Sequence, residues 1–304
     1  MSDAKEWHGK TGEAVRPAFA VSHLEPADIA VGVYVLFTTA VLTIHPHSVP
    51  GAGLSLALRA LVLALLALLA TGRFPVRLQW LRDFYPILLT PFFYEEIGHL
   101  NRAFTVGFHD AMVVGWEHAV FGGQPSVTLR QVFPQVWLSE YLHLAYLSYY
   151  FLAPALALVL YLSRRRAEFR VYMGTMSVSF FLCMTIFIFF PVTGPFHYFV
   201  PPLPGAVGRW LPHVVHWVLR GGSSLGSAFP SSHVAVSMTV LFMAWRYSRT
   251  TFWVLLALVP ALSVGAVYGG FHYAIDAVAG LALAMFVYAV VPGILERRGG
   301  MRAR

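Results

Sequence analysis

An all-α, polytopic integral membrane bundle is what this sequence predicts, and three observations predict it. Of the 304 residues, 58% are hydrophobic and 12% charged, and the mean hydropathy is +0.65, far more apolar than a soluble domain of that length. The apolar residues fall in runs suited to crossing a hydrocarbon core of about 30 Å. Arginines sit in short clusters between those runs, as in loops facing anionic lipid, so the net charge of +7 and pI near 9.7 do not point to nucleic acid. Cys183 is the single cysteine and lies inside an apolar run, which excludes a disulfide framework and a multi-cysteine metal site.

Residues 1–25, with Lys5, Lys10 and Arg16, read as a polar, cytoplasmic N-terminal arm that lacks the apolar core and cleavage site of a signal peptide. Residues 26–138 read as a membrane hairpin followed by polar-lined or interfacial helices. The hairpin's spans are Ala27 to Ile44 and Leu54 to Ala70, joined by H-P-H-S-V-P-G-A-G, which has two prolines and no Lys or Arg. Arg59, inside the second span, is expected to snorkel toward a surface. Beyond the amphipathic stretch Arg73 to Asp83, the apolar segment Phe84 to Tyr94 rises only about 16 Å as a helix, roughly half a bilayer core. Yet Arg73, Arg77 and Arg82 and the cluster Arg164 to Arg166 share a side by the positive-inside rule, with one clear span, Tyr141 to Leu162, between them. A further polar-lined crossing is therefore expected between Phe84 and Ala119, with Glu95, Glu96, His109 and Asp110 facing protein or water.

Residues 139–294 carry the plainer spans: Tyr141 to Leu162, Val171 to Phe190, Val234 to Trp245, Thr251 to Tyr268 and Tyr273 to Val291. Arg246 and Arg249 mark one hairpin as cytoplasmic, and residues 295–304 form a basic cytoplasmic tail with Arg297, Arg298, Arg302 and Arg304. Loop 191–232 and the turn near Gly270 then fall on the non-cytoplasmic face, where His233 and His272 both start. Residues Val207 to Leu219, with Trp210 and Trp217, read as an interfacial amphipathic helix.

Two stretches carry chemistry. In G-S-A-F-P-S-S-H-V-A, residues 226–235, a polar turn runs into an apolar helix, whose N-terminus offers unpaired N–H groups and a partial positive charge to an anion. In G-A-V-Y-G-G-F-H-Y-A-I-D, residues 265–276, His272 and Asp276 share one helix face. A carboxylate accepting from one imidazole N–H fixes the tautomer and leaves the other nitrogen as base or nucleophile; the same pair also reads as a structural hydrogen bond.

P-S-S-H at 230–233 and V-Y-G-G-F-H-Y-A-I-D at 267–276 resemble the second and third signature motifs of the type-2 phosphatidic acid phosphatase superfamily, and the layout of residues 139–294 resembles its six-helix phosphatase-type core. The resemblance implies a lipid phosphatase or phosphotransferase with His272 as nucleophile, forming a phosphohistidine. It further implies Asp276 as the orienting partner, His233 as general acid, Ser231 and Ser232 as phosphate contacts, and no metal or other cofactor. Two cationic ligands depart from the family pattern. Its first motif, Lys followed by Arg-Pro, has no match, since the only lysines are Lys5 and Lys10, and the arginine expected six positions before the third-motif histidine is Ala266. Each charge-assisted bond to a desolvated oxyanion is worth roughly 1.5 to 3 kcal/mol, so a doubly charged monoester loses more than a singly charged diester. The pattern thus resembles the branch of inositol phosphorylceramide synthase and sphingomyelin synthase, which move a headgroup to a lipid alcohol; D-F-Y-P-I-L-L-T-P-F-F-Y-E-E-I-G-H-L-N and H-D-A-M-V-V-G-W-E-H-A-V-F-G-G-Q-P-S are looser matches to it.

The expected partners are a membrane lipid substrate and an acceptor, lipid alcohol or water, with no nucleic acid. Hydrolysis of a lipid phosphate or polyprenyl diphosphate is the alternative chemistry; a non-catalytic transporter or structural protein is the alternative class, against which stands the lack of an internal repeat. Arg102 and Arg130 are candidate substitute phosphate ligands, or else interfacial arginines on lipid headgroups. Asp110, with His109, is a candidate to line an acceptor-alcohol site, or else a solvated polar patch. Adjacent on a helix, Glu95 and Glu96 point about 100° apart and make a weak acid/base pair. A local hydrogen bond is expected between Glu140 and His143, an interfacial belt from Tyr146, Tyr149 and Tyr150, and a headgroup contact is open to His197.

Overall fold

The computed structural model describes residues 23–45, 49, 51–199 and 208–299; most of the expected N-terminal arm and the last five residues of the basic tail lie outside them. Among the described residues there are fourteen α-helices and no strand. The first four are α1 (Pro26–Ile44), α2 (Ala52–Ala70), α3 (Gln79–Glu95) and α4 (Ile97–Leu100). Next come α5 (Asp110–Phe121), α6 (Pro125–Val132), α7 (Val136–Leu147), α8 (Tyr149–Leu162) and α9 (Arg166–Phe189). The chain closes with α10 (Pro195–Tyr198), α11 (Leu211–Gly222), α12 (Ser232–Tyr247), α13 (Arg249–Tyr268) and α14 (Ala274–Arg298).

Helices α1, α2, α9, α13 and α14 are each long and apolar enough to cross a membrane, and α7 and α8, taken together with the 52° bend between them, meet the same test. The chain is a multi-pass membrane protein. In lipid an apolar side chain gains little by leaving its surroundings, so helices meet where small residues admit close backbones and hydroxyls bond across. That explains why α9 is the central post, its apolar window 78% buried where those of α2 and α14 are 22% buried. Along it Gly174, Thr175, Ser177 and Ser179 are buried, and Thr239 of α12 donates to Ser179 at 3.1 Å. On α14, a Cβ at Gly280 would lie 2.5 Å from the carbonyl oxygen of Ser231, so glycine there lets α14 press against the start of α12.

Two expectations need correction. Residues 84–94 are not a separate short segment: the helix starts at Gln79, and its seventeen residues rise about 25 Å. Arg82 pairs with Asp28 at the start of α1 (2.9 Å), while Tyr94, at the other end of α3, meets Ser227 beside the start of α12 (2.9 Å). Thus α3 runs from the Asp28 end of the bundle to the Ser227 end, and an ion pair formed 54 residues away makes its polar start buriable. Arg59 does not snorkel. It is fully buried in a two-pronged pair with Glu96 (2.7 and 2.8 Å), and its Nε donates to Thr38. Helix α11 agrees with its interfacial reading: Trp210 and Trp217 are both more than three-quarters exposed, while Val215 and Leu219 are buried.

Candidate active site

The ends of α9, α11 and α13 and the starts of α12 and α14 meet at one end of the bundle. There Val192, after α9, pairs with Ser227 in an isolated parallel bridge, and Ala228 N–H donates to the Val192 carbonyl at 2.9 Å. The chain turns at the cis Phe229–Pro230 peptide into α12, whose Ser231 side chain caps the helix by accepting from Val234 N–H. Ser231 N–H donates to the backbone carbonyl of Asp276 (2.9 Å), stitching α12 to α14. The two motifs, 39 residues apart, are thereby held side by side.

His272 Nδ1 lies 3.0 Å from the Ala228 carbonyl oxygen and 3.5 Å from Asp276 Oδ2. A carbonyl only accepts, so Nδ1 carries the proton and donates, and in the neutral ring Nε2 keeps its lone pair. That Nε2 faces His233 Nδ1 at 3.3 Å. Asp276 Oδ2 also accepts from Tyr273 N–H (2.8 Å), which closes the first turn of α14, while Oδ1 is buried and without a partner. Both rings are buried; His233 lies between Tyr146, stacked at 4.7 Å, and Tyr149, tilted at 4.3 Å. Those tyrosines are therefore not an interfacial belt: only Tyr150 of the three is exposed.

The supports are carboxylates spent on backbone. Asp110, at the start of α5, is neither solvated nor open to an acceptor, since Thr193 N–H, Thr193 Oγ1, Gly194 N–H and Tyr273 O–H all donate to it within 3.1 Å. Gly194 has φ of +85°, and a Cβ there would meet the Phe271 carbonyl at 2.8 Å, so glycine seats this loop against the His272 turn. His109 stacks on Phe190 instead of lining a polar patch. Glu117 of α5, fully buried, accepts from Ala274 and Ile275 N–H in the first turn of α14. Burial pushes its carboxyl up to about 7, against those two N–H donors, which lower it. Glu140 does not bond His143; it accepts from the N–H groups of Arg209, Trp210 and Leu211 and so anchors the start of α11, while His143 Nδ1 contacts the Ser139 carbonyl.

Two cavities adjoin His233. The smaller, about 40 Å³, is lined by both histidines and by Ser223, Ser224, Ser227 and Tyr94. His197, exposed at its rim, contacts Ser223 Oγ at 3.1 Å. The larger, about 270 Å³, lies on the other side of His233 and takes in Ser232. Ser231 lines neither, its hydroxyl being the helix cap. No arginine or lysine lines either cavity. Arg102 is exposed, and Arg130 Nε donates to the Tyr268 carbonyl at the end of α13; neither lines either cavity. Sequence reasoning missed Tyr94, Tyr146, Tyr149, Ser224, Ser227 and Glu117 as parts of this site. For the serines, the Gly/Ser-rich loop at 221–224 was the available signal.

The sequence matches the PAP2 superfamily over residues 111–290, more than half of the chain and including both histidines, Asp276 and Glu117. The chain belongs to that superfamily and is a phosphatase-type lipid enzyme. No curated protein and no solved structure matches it.

Proposed function

We propose that the protein transfers a phosphodiester headgroup from a membrane lipid to an alcohol, through a phosphohistidine on His272 and without a metal. The observation that carries this reading is the His272 ring itself. Its Nδ1 is tied to Ala228 and Asp276, and its Nε2 faces His233 in a cavity whose wall holds hydroxyls and imidazoles but no arginine or lysine. His272 Nε2 attacks phosphorus while His233, protonated, gives its proton to the leaving alkoxide. The Nε2–Nδ1 contact of 3.3 Å leaves no room for phosphorus, so the substrate replaces that hydrogen bond and parts the rings. Asp276 stabilises the imidazolium that forms.

Charge argues for the diester. In place of guanidinium groups, the smaller cavity offers the hydroxyls of Ser223, Ser224 and Ser227 and the two imidazoles. That suits one negative charge better than two. Sidedness follows from the arginines: Arg164 to Arg166, Arg246, Arg249, Arg297 and Arg298 lie at the end of the bundle away from the histidines. By the positive-inside rule that end is cytoplasmic and the site faces the other side.

Purified protein in vesicles of a phosphodiester lipid tests the reading. Headgroup transfer is expected to form a new lipid when diacylglycerol or ceramide is added, and His272→Ala is expected to lower the rate roughly a thousandfold or more. Free phosphate from a monoester lipid as the only product would assign hydrolysis instead. EDTA is expected to leave the rate unchanged; loss restored by a divalent cation contradicts the metal-free reading.

A further inference from the structure

The larger cavity has a shape and lining of its own, distinct from the one that holds His272. Phe180 of α9, Tyr149 and Tyr150 of α8, and Thr90, Pro91 and Glu95 of α3 line it, together with Val218 and Leu219 of α11 and Ser232 and His233 of α12. Tyr150 is 48% exposed and Glu95 is exposed, so the chamber opens sideways between α3 and α8, two helices of the membrane bundle that both pack on α9. Tyr94, Leu219 and His233 line both cavities, and His272 lines the smaller.

Volume and chemistry separate the two. The smaller cavity, about 40 Å³, has hydroxyls and imidazoles in its lining; about 270 Å³ lined largely by aromatic and aliphatic carbon fits a hydrocarbon chain far better than a file of unbonded waters. Transfer needs a base at the acceptor hydroxyl once the first leaving group has gone, and His233, having given up its proton, is that base on the wall between the chambers.

We infer that this α3–α8 chamber is the acceptor site and that its ligand is a lipid alcohol: a hydroxyl at His233, an apolar chain leaving between α3 and α8, and a further hydrogen-bond donor of the acceptor placed against Glu95. The inference rests on the covalent reading above. In the step it serves, the bond from phosphorus to His272 Nε2 breaks, the bond from phosphorus to the acceptor oxygen forms, and the hydroxyl proton passes to His233. Water arriving through the smaller, polar cavity gives hydrolysis in competition, so acceptor choice is set by what fills the chamber.

Val218→Trp fills the chamber from a residue outside the smaller cavity. With a radiolabelled phosphodiester lipid as donor and diacylglycerol as acceptor, the ratio of transfer to His272 labelling is expected to fall roughly tenfold or more, as overpacking a formed site does. An unchanged ratio, or equal loss of labelling and transfer, overturns the assignment, the latter giving the chamber to the donor. In the unaltered protein, a diazirine-tailed diacylglycerol is expected to crosslink α3 and α8 near Thr90, Glu95 and Tyr150; crosslinks confined to other helices overturn it whether or not the variant folds. Turnover with no label on His272 in the unaltered protein instead brings down the covalent reading, and this inference with it.

Discussion

The two ends of the bundle use their charges in opposite ways. Away from the histidines, carboxylates face arginines: Arg82 on Asp28, Arg166 on Asp83, Arg170 on Glu25, and Arg246 forked onto Glu296 with Tyr247 O–H beside it. At the histidine end, Asp110, Glu117 and Glu140 face backbone N–H groups at loop and helix starts. The Arg59–Glu96 pair lies on this half but is sealed in the core and consumed by its own bonding. One end spends arginines on holding helices together; the other spends acids on positioning backbone around His233 and His272.

Removing groups at the histidine end should therefore break chemistry, and removing groups at the other end should break only stability. The largest effect after His272 itself is expected from His233→Ala, which deletes the proton donor and should slow turnover by roughly 10² to 10⁴-fold with the fold retained, read as rate at unchanged melting temperature. A smaller loss would mean that another group protonates the leaving oxygen. Asp276→Asn sharpens the comparison. In triads where the carboxylate alone fixes the tautomer, such a change costs about 10⁴-fold. Here the Ala228 carbonyl also holds Nδ1–H, so the expected loss is only about 10 to 100-fold; a 10⁴-fold loss would show that Ala228 does not secure the ring.

The two histidine motifs, the apolar spans and α11 were legible because each rests on local sequence: a motif, a period, a run; the expected shared helix face of His272 and Asp276 is corrected by the fold, since His272 sits in the turn before α14 and only Asp276 is on the helix. What escaped is non-local. Glu117 looks like any acid in a short amphipathic helix until the chain folds it against N–H groups 157 and 158 residues away. Tyr146 and Tyr149 have the composition of an interfacial belt, and only the placement of α12 turns them into a clasp for His233. Arg59 and Glu96 each look costly alone; 37 residues apart in sequence, they neutralise each other.

At the opposite end, Glu296→Gln should cost about 1 kcal/mol, the scale of a partly exposed ion pair, and leave turnover per folded molecule unchanged. A loss of turnover there would erase the contrast between the ends. The smallest expected effect is a pH slope from Glu117. Its carboxyl titrates higher in the fold, near 7, than its ordinary 4.5, so the folded state holds the proton more tightly. The stability that Glu117 contributes is full below about 4.5 and is lost as pH rises through about 7. Glu117→Gln keeps an acceptor for Ala274 N–H and removes the titration. The melting temperature of the parent should fall relative to this variant between pH 5 and 7.5 (roughly the window between the two pKa values); parallel curves would refute the shift.

One bond, phosphorus to His272 Nε2, decides between the proposed chemistry and its alternatives. Mixing the protein with a radiolabelled phosphodiester lipid, quenching in base and mapping the labelled peptide tests it most directly. An acid-labile, base-stable adduct on His272, formed in the parent and in His233→Ala but not in His272→Ala, is the predicted result. Steady turnover with no adduct on His272, or an adduct that survives His272→Ala, would contradict the account.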